Sequence, residues 1–383
     1  MIGQLFKQSG KDPGFAAQKF NRLLAKGLSE NGIEVTILSA LPVGRHNSKR
    51  IWWSAKDEME DGLLFHYFPF VNLPVLRQLF LTVGSFLIVR KLTRKKLVDA
   101  VVCDVLNAGL CAAAIKACKH TRTQIVGVMT DMPGLMVRFG KGQKMPFITR
   151  MATKLMKWSF DNYDKFVFLT EAMNEVNTYQ RPYIIMEGMS DIAMATRHKT
   201  INVGSDRIVM YAGGLHTRYG LKKLVEAFMM QKDNNLRLSI YGSGPFVEDL
   251  QSRYCKEDER IRYMGVASNQ EIVQAELSAT LLVNPRPTGE EFTKYSFPSK
   301  NIEYMASGTP LLTTKLPGMP SEYYPYIFLI ENESVDGYAR ALTNALSHSN
   351  EELFHFGATA KSFVLNKKNY LEQARRVAKL IAQ

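Results

Sequence analysis

Short apolar runs alternate along this chain with longer segments in which apolar residues recur at helical spacing. The short runs predict buried strands, and the longer segments predict amphipathic helices. The first example is AAQKFNRLLAKGLSENG, a helix that ends at Asn31-Gly32 and leads into the buried strand IEVTILSA. The segment from Met1 to Phe6 is short for a strand, and we expect it to supply the first strand before this helix. Together they form a βαβ unit, the opening of a doubly wound α/β domain.

The alternation continues to the end of the chain. In the first half, VDAVVCDVLN, AGLCAAAIKACKH and TQIVGVMTDMPG predict a strand, a helix and a strand. In the second half, the predicted strands are DRIVMYAGG, LRLSIYGSGP, IRYMG and LLVN. A chain of 383 residues is too long for one ordinary core, so we expect two such domains of about 150–200 residues each.

The stretch from Leu281 to Pro310 carries the densest chemical signal. It predicts a strand at its start, a polar loop, and a helix that begins near Ser299, because Pro298 disfavours helix at the residue before it. Ser299 is expected to cap this helix, and the N–H groups that follow it are expected to bind an anion. Lys300 adds a positive charge, and Glu303 lies one turn beyond Ser299 on the same face, suited to ribose hydroxyls.

The segment FPSKNIEYMASGTPLLTT resembles the donor-binding segment of the retaining family-four glycosyltransferases, especially those that build bacterial surface polysaccharides. Members of that family carry two glutamates eight positions apart. Glu303 matches the second glutamate, and the first would fall at Tyr295, so it is absent here; Glu290 and Glu291 lie a few residues upstream. Since the first glutamate helps to hold the donor sugar in the family, its replacement bears on the identity of that sugar.

The resemblance implies the GT-B fold, in which two Rossmann-like doubly wound domains face each other across a cleft. The acceptor-binding domain would span residues 1–185, the nucleotide-sugar domain residues 186–365, and a helix in residues 366–383 would pack back on the first domain. It also implies a retaining, hexosyltransferase-type reaction that moves a sugar from a UDP- or GDP-linked donor to an acceptor hydroxyl. No cofactor and no metal is expected, because basic residues and helix dipoles neutralise the leaving diphosphate.

The same resemblance assigns donor contacts. Family members commonly show a Gly-Arg pair after the first strand of the second domain and a lysine just before the next helix. Here Gly214 holds the arginine position and Tyr219 the lysine position, which leaves Arg218 as the candidate for the diphosphate, with a catalytic role alongside Lys300. The remaining candidate donor-binding residues are Gly14, Gly213, Gly214, Gly242, Gly244, Met264, Phe297, Pro298, Ser299, Asn301 and Glu303.

Asp131 is the third candidate catalytic residue. It lies where the predicted strand TQIVGVMT ends, and ligands of open α/β sheets gather at the carboxyl ends of strands. Its carboxylate is suited to orienting or deprotonating an acceptor hydroxyl, although an aspartate at this place also suits a turn or a helix cap.

The net charge of +13 is concentrated in the first half of the chain. Residues 1–185 carry 26 Lys and Arg against 14 Asp and Glu, whereas the other 198 residues carry 23 against 22. Residues 62–98 contain no acidic residue, and a mostly apolar run between Gln78 and Arg90 is followed by five basic residues. This run is too short to span a bilayer, so we expect a helix lying on an anionic membrane surface; an ordinary core helix with a solvated basic end is the alternative.

Residues 132–160 form a second basic stretch without acidic residues, with apolar residues at helical spacing from Pro146 onward. Two such stretches favour a cytoplasmic protein held at the inner face of the cell membrane, with a lipid-linked or saccharide acceptor. No nucleic-acid motif accompanies the charge, so nucleic acid is not expected as a partner. The four cysteines show no metal-binding spacing and suit a reducing compartment, and no signal peptide is expected.

Three other functions remain open on the sequence alone. A nucleotide-sugar epimerase shares the two-domain architecture, but it needs acid and base groups beyond Asp131, Glu171 and His216. A non-catalytic nucleotide-sugar-binding partner of a transferase would bind the donor without turnover. A nicotinamide-dependent oxidoreductase is disfavoured because the chain has no GxGxxG fingerprint.

Overall fold

The computed structural model describes residues 16–41, 43–45, 48–132, 147–199 and 206–383. The chain folds into two compact units, one formed by Met1–Glu187 with Tyr370–Gln383 and the other by Gly188–Asn369. The sequence placed these divisions after residues 185 and 365. The Met1–Phe6 strand and Gly14 lie outside the described residues.

The first unit contains three small sheets among its described residues. Their strands are β1 (Thr36–Ser39), β2 (Trp52–Trp53), β3 (Lys56–Glu60), β4 (Leu63–Tyr67), β5 (Phe70–Val71), β6 (Ala100–Asp104), β7 (Gln124–Met129), β8 (Lys165–Phe168) and β9 (Tyr183–Ile185). Strands β6 to β9 form a parallel sheet in sequence order, as βαβ connections require. The sequence predicted that β1 begins at Ile33 and is buried, but it begins at Thr36 and its side chains are exposed or half-buried.

Four helices accompany these strands: α1 (Ala16–Glu30), α2 (Pro74–Arg94), α3 (Ala108–Cys118) and α4 (Phe147–Phe160). A fifth, the C-terminal helix Tyr370–Ala382, also belongs to the first unit. It packs closely on α1, because a Cβ at Gly27 would lie only 2.4 Å from the Tyr370 carbonyl oxygen. The Tyr370 hydroxyl donates to Glu30, and the buried Lys165 ammonium donates to the Leu380 carbonyl at the end of the helix.

The second unit is built on one six-stranded sheet. Its strands are β10 (Arg207–Gly214), β11 (Leu236–Ser243), β12 (Ile261–Gly265), β13 (Leu281–Asn284), β14 (Leu311–Thr314) and β15 (Phe328–Ile330). Every neighbouring pair is parallel, in the order β12-β11-β10-β13-β14-β15. The α/β fold class predicted from the alternation of apolar patterns is therefore confirmed.

Helices cover the sheet of the second unit. They are α5 (Leu221–Met229), α6 (Asn269–Ser278), α7 (Ser299–Ser307), α8 (Val335–Leu346) and α9 (Asn350–Lys367), and the C-terminal helix becomes α10. A helical segment in three pieces follows β11 at Val247–Asp249, Leu250–Tyr254 and Cys255–Glu257. One buried cluster packs α5 and α8 on the sheet, and a second packs α7 and α9 on it. Every residue of β13 and β14 is therefore buried, as the continuous apolar runs of these strands predict.

Strands β10 and β13 are paired only at their beginnings, where Val209 lies opposite Leu281 and Met210 opposite Leu282. Beyond that point, a tyrosine hydroxyl from α7 takes the place of the neighbouring strand. Tyr304 is fully buried, and its hydroxyl accepts from the Ala212 N–H at 2.8 Å and donates to the Ala212 carbonyl at 3.1 Å. Both backbone groups are thereby satisfied without a partner strand.

We expect Tyr304→Phe to lower the free energy of unfolding by about 1–3 kcal/mol, because it leaves both backbone groups of Ala212 buried and unpaired. Tyr326→Phe is the matched control, since Tyr326 is half-buried and contributes its ring by stacking on Phe363. Urea denaturation of both variants measures the difference. Equal stability of the two variants would contradict the role assigned to the Tyr304 hydroxyl.

Candidate functional site

The candidate site lies where the strand order of the second unit reverses, between β10 and β13. In open parallel sheets, ligands bind outside the carboxyl ends of the strands at such a switch point. Strand β10 ends there at Gly213-Gly214, and β13 ends at Asn284, which is followed by Pro285 and Arg286. The side chains that define the site therefore come from these two strand ends and from the start of α7.

Helix α7 begins one residue earlier than the capping prediction requires. Pro298 is the N-cap residue and makes no side-chain cap bond, while Ser299 is already in the first helical position. The prediction that Ser299 caps the helix is therefore wrong. The Asn301 N–H donates to the Pro298 carbonyl at 2.9 Å, so it is not one of the amides available to an anion.

Lys300 and Glu303 lie near the start of α7 and pair with each other at 3.1 Å. Both side chains are partly exposed. Burial lowers the pKa of Lys300, but the carboxylates of Glu303 and Glu276 outweigh that effect and raise it overall. Lys300 therefore stays protonated at neutral pH, and the pair is within reach of a ligand at the helix start.

Asn301 was predicted to bind the donor, but it lies in the protein interior with only 1% of its surface exposed. Its carbonyl oxygen accepts from the buried Asn284 amide at 2.6 Å, and its own amide nitrogen has no hydrogen-bond partner. This contact joins the end of β13 to the first turn of α7. Asn301 therefore holds the helix start in place and does not present its side chain at the surface.

Phe297 and Pro298 were also predicted to bind the donor. Both are buried, so their side chains are not exposed to a ligand. The Phe297 ring packs against the buried Tyr323 ring with 5.3 Å between centroids. The two residues thus anchor the loop that enters α7. They contribute to the site by fixing the position of the start of α7.

The candidate glycines lie at the ends of β10 and β11. Gly242 has a φ of +129°, and a Cβ there would lie 1.8 Å from the Gly213 carbonyl oxygen, so only glycine fits. A Cβ at Gly244 would similarly lie 2.3 Å from the Leu215 carbonyl oxygen. Met264, at the end of β12, exposes 46% of its surface. These residues share the carboxyl edge of the sheet with the switch point.

Two arginines share two aromatic rings beside the switch point. Arg218 lies in a short turn after β10, and its guanidinium carbon is 5.2 Å from the Tyr219 ring centroid and 5.6 Å from that of Phe292. Arg286 follows β13, and its distances to the same two rings are 5.1 and 5.5 Å. Arg286 also donates to the Ser296 hydroxyl at 3.1 Å. Sequence reasoning missed Arg286, although its place directly after a strand at the switch point marks it.

The first unit holds the remaining sequence-predicted residue. Asp131 lies two residues beyond the end of β7 and is half-buried, at the carboxyl end of the parallel sheet β6 to β9. Its role stays a prediction. The described residues contain no group of three or more His, Cys, Asp or Glu side chains arranged to hold a metal ion.

Helix α2 exposes its apolar side chains along one stripe. The buried positions are Leu81, Ser85, Val89 and Thr93. The exposed positions Val75, Leu79, Val83 and Leu87 recur every four residues with 48–71% of their surface accessible. The same helical spacing continues to the exposed Lys91 and Lys95. Within the described part of the chain, no helix is both long and apolar enough to cross a membrane.

Part of the second unit matches the model of a known family. Residues 206–348 match the family described as glycosyl transferases group 1. This range begins at β10 and ends after α8, so it contains the switch point and helix α7. A comparison with the curated proteins gave no match.

Several solved structures share the fold of this chain. Sucrose-phosphate synthase from Thermosynechococcus elongatus has a TM-score of 0.70 at 15% identity, with 95% of this chain and 92% of that chain covered. Starch Synthase IV from Arabidopsis thaliana, bound to ADP and acarbose, has a TM-score of 0.63 at 11% identity, with coverages of 95% and 94%. The Anabaena protein HepE in complex with UDP has a TM-score of 0.61 at 14% identity, with coverages of 84% and 86%. The fold is GT-B.

The structure predicts unequal stability effects for two neighbouring residues of α7. Asn301→Ala should cost about 1–3 kcal/mol of unfolding free energy, because it leaves the buried Asn284 amide without its acceptor. Glu303→Ala removes a partly exposed ion pair and should cost less than about 1 kcal/mol. Urea denaturation with matched m-values measures both. A larger loss for Glu303→Ala than for Asn301→Ala would contradict this assignment.

Proposed function

We propose that this chain is a group 1 glycosyl transferase that moves a sugar, with retention, from a nucleoside diphosphate to a saccharide acceptor; the family match over residues 206–348 and the GT-B fold support this. The observation that carries the proposal is the strand-order reversal between β10 and β13, where α7 presents Lys300 and Glu303. The same proposal includes a hexose as the transferred sugar and a role in surface polysaccharide synthesis.

Donor binding follows from the chemistry of these groups. In this proposal, the diphosphate lies at the positive end of the α7 dipole, next to the Lys300 ammonium. Glu303 accepts hydrogen bonds from the ribose hydroxyls one turn further along the helix. The ion pair between Lys300 and Glu303 is then exchanged for contacts with the phosphate and the ribose. The UDP and ADP bound in the structures of HepE and Starch Synthase IV suit a nucleoside diphosphate here.

The transfer step breaks the bond between the sugar C1 and the diphosphate oxygen and forms a bond from C1 to the acceptor oxygen. The electron pair of the broken bond stays on the leaving diphosphate, and the acceptor proton moves to a phosphate oxygen on the same face of the sugar. The chain's part is to hold the acceptor hydroxyl beside the leaving diphosphate on one face of the sugar and to neutralise the leaving group with Lys300 and Arg218. This scheme calls for no metal ion and no protein nucleophile. Asp131 would orient the acceptor hydroxyl.

The acceptor is proposed to be lipid-linked and bound at the cytoplasmic face of an anionic membrane. The exposed stripe of α2 (Val75, Leu79, Val83 and Leu87) is apolar, and Lys91 and Lys95 continue it. Apolar residues that enter the acyl boundary beside lysines at the headgroups are typical of helices that lie in a bilayer interface. Arg90, Arg94 and Lys96 add charge at the same helix end.

The donor assignment is tested by thermal-shift and calorimetric titration with UDP, GDP, ADP and CMP. A nucleotide present at 100 times its Kd should raise the stability of the wild-type protein by about 2.7 kcal/mol. Glu303→Ala should weaken the binding of that nucleotide by about 1.5–3 kcal/mol, the value of a hydrogen bond to a charged group. Its matched control is Glu372→Ala, a partly exposed carboxylate on α10 that pairs with Arg375.

Two results would overturn the donor assignment. One is folded wild-type protein that binds none of the four nucleotides. The other is Glu303→Ala that binds the nucleotide as tightly as the wild type, which would remove the ribose contact. Turnover of the matching nucleotide sugar with an acceptor lipid extract then separates a transferase from a non-catalytic binding protein.

Membrane docking is tested with a triple variant, Leu79→Ser, Val83→Ser and Leu87→Ser. Burial of these side chains in the interface drives binding, so the variant should bind vesicles of about 30% phosphatidylglycerol at least about tenfold more weakly. Vesicle cosedimentation measures the loss. The control replaces the exposed Met230 and Val266 of the second unit by serine and should bind as the wild type does. Unchanged binding of the triple variant would contradict docking through α2.

A further inference from the structure

Arg286 follows the strand that neighbours β10 across the switch point. The two strands pair at Val209–Leu281 and Met210–Leu282 and separate beyond these pairs. Strand β10 ends at Gly214, which has no side chain, and Arg286 lies two residues beyond the end of β13. Both chain segments reach one aromatic ring, because the Arg286 guanidinium carbon lies 5.1 Å from the Tyr219 ring centroid.

The space beside Gly214 is filled by an aromatic ring. A Cβ at this position would lie 3.3 Å from Cε2 of Tyr219 and 3.5 Å from the His216 ring. The Tyr219 ring also meets the Phe292 ring edge to face at 6.2 Å. These two rings are the surface against which both guanidinium groups lie.

The backbone at Pro285 and Arg286 is fixed by three contacts. The buried Tyr338 hydroxyl donates to the Pro285 carbonyl at 2.8 Å, and the buried Thr314 hydroxyl donates to the Arg286 carbonyl at 2.5 Å. Gly220, with a φ of +82°, lets the Pro285 carbonyl approach to a point 1.8 Å from where a Cβ would stand. Arg286 therefore projects from a rigid base, as a preorganised ligand contact requires.

Arg218 reaches the same rings from the other strand end. Its Nε is buried without a hydrogen-bond partner, and its Nη2 donates only weakly to the Tyr219 hydroxyl, at 3.3 Å. Among the described residues, no carboxylate forms an ion pair with Arg218. A doubly charged anion can accept hydrogen bonds from both guanidinium groups, and it supplies Arg218 with a counter-charge.

We propose that Arg286 and Arg218, stacked on Tyr219 and Phe292, bind the diphosphate of the donor as a pair of guanidinium groups. Tyr219 and Phe292 are positioning residues, because they act through the two arginines. This assignment rests on the proposed function, since it names the side chains that hold the diphosphate of that donor. It adds Arg286 to the site and assigns Tyr219 the role of positioning the two arginines.

The test compares a nucleoside diphosphate with its monophosphate by calorimetry, using the base found in the nucleotide screen. Arg286→Ala should weaken diphosphate binding by about tenfold or more and monophosphate binding by less than about threefold. Arg286→Lys should fall between the wild type and Arg286→Ala, because lysine keeps the charge but loses the planar fork. Arg340→Ala removes an exposed arginine on α8 of the same unit and should leave both affinities unchanged.

Variants of Tyr219 allow a second test, because a purely structural role of this residue would leave the preference for the diphosphate unchanged. Tyr219→Phe keeps the ring and should keep the preference for the diphosphate, whereas Tyr219→Leu should lose it about as Arg286→Ala does. Circular dichroism of each variant checks that the fold is retained.

The outcomes separate the two proposals. Wild-type protein that binds no nucleotide overturns the proposed function and the arginine pair with it. Wild-type protein that binds a diphosphate, together with a folded Arg286→Ala that keeps the full preference over the monophosphate, overturns the arginine pair alone. Equal behaviour of Tyr219→Phe and Tyr219→Leu overturns the role given to the ring.

Discussion

The site depends on a hydroxyl group that takes the place of a strand. After Met210, β10 no longer pairs with β13, and a buried N–H and carbonyl at Ala212 would be left unpaired. The Tyr304 hydroxyl accepts from one and donates to the other. Burial raises the pKa of Tyr304, so the hydroxyl keeps the proton that it donates. The two strand ends can therefore part with these backbone groups satisfied; Arg218 follows one of them, and Arg286 follows the other, whose last residue bonds the first turn of α7.

Helix α7 consequently has two faces with different tasks. Its interior face carries Tyr304 and Asn301, which tie the helix to β10 and to Asn284 at the end of β13. Its outer face carries Lys300 and Glu303, which are partly exposed and bonded to each other. The rigid interior contacts hold the helix start at a fixed place. A ligand that binds Lys300 and Glu303 exchanges the outer ion pair for its own contacts, and such a pair is weak at an accessible surface.

The sequence was sufficient to predict the secondary structure of β13 and α7. Pro298 and the ASGTP segment predict a helix that begins near Ser299, and the structure gives Ser299–Ser307. The apolar run before Asn284 predicts a buried strand, and β13 is one. These predictions succeed because proline, glycine and apolar runs act through local backbone geometry and burial.

Side-chain direction was not predictable in the same way. Asn301 was assigned to a ligand through its backbone N–H at the helix start, but that N–H bonds the Pro298 carbonyl, and the side chain is held inward by Asn284, 17 positions away. Arg286 was missed because only the fold brings it to the Tyr219 ring, which follows a different strand.

A crystal structure of the protein with the nucleoside diphosphate selected by the screen would locate the donor. We expect the diphosphate between the ends of β10 and β13, with its oxygens within hydrogen-bonding distance of the Arg286 guanidinium and the Lys300 ammonium. We expect the ribose hydroxyls at the Glu303 carboxylate. A nucleotide whose diphosphate lies away from these two strand ends, in protein whose Tyr304 still bonds Ala212, would show that the switch point does not bind the donor.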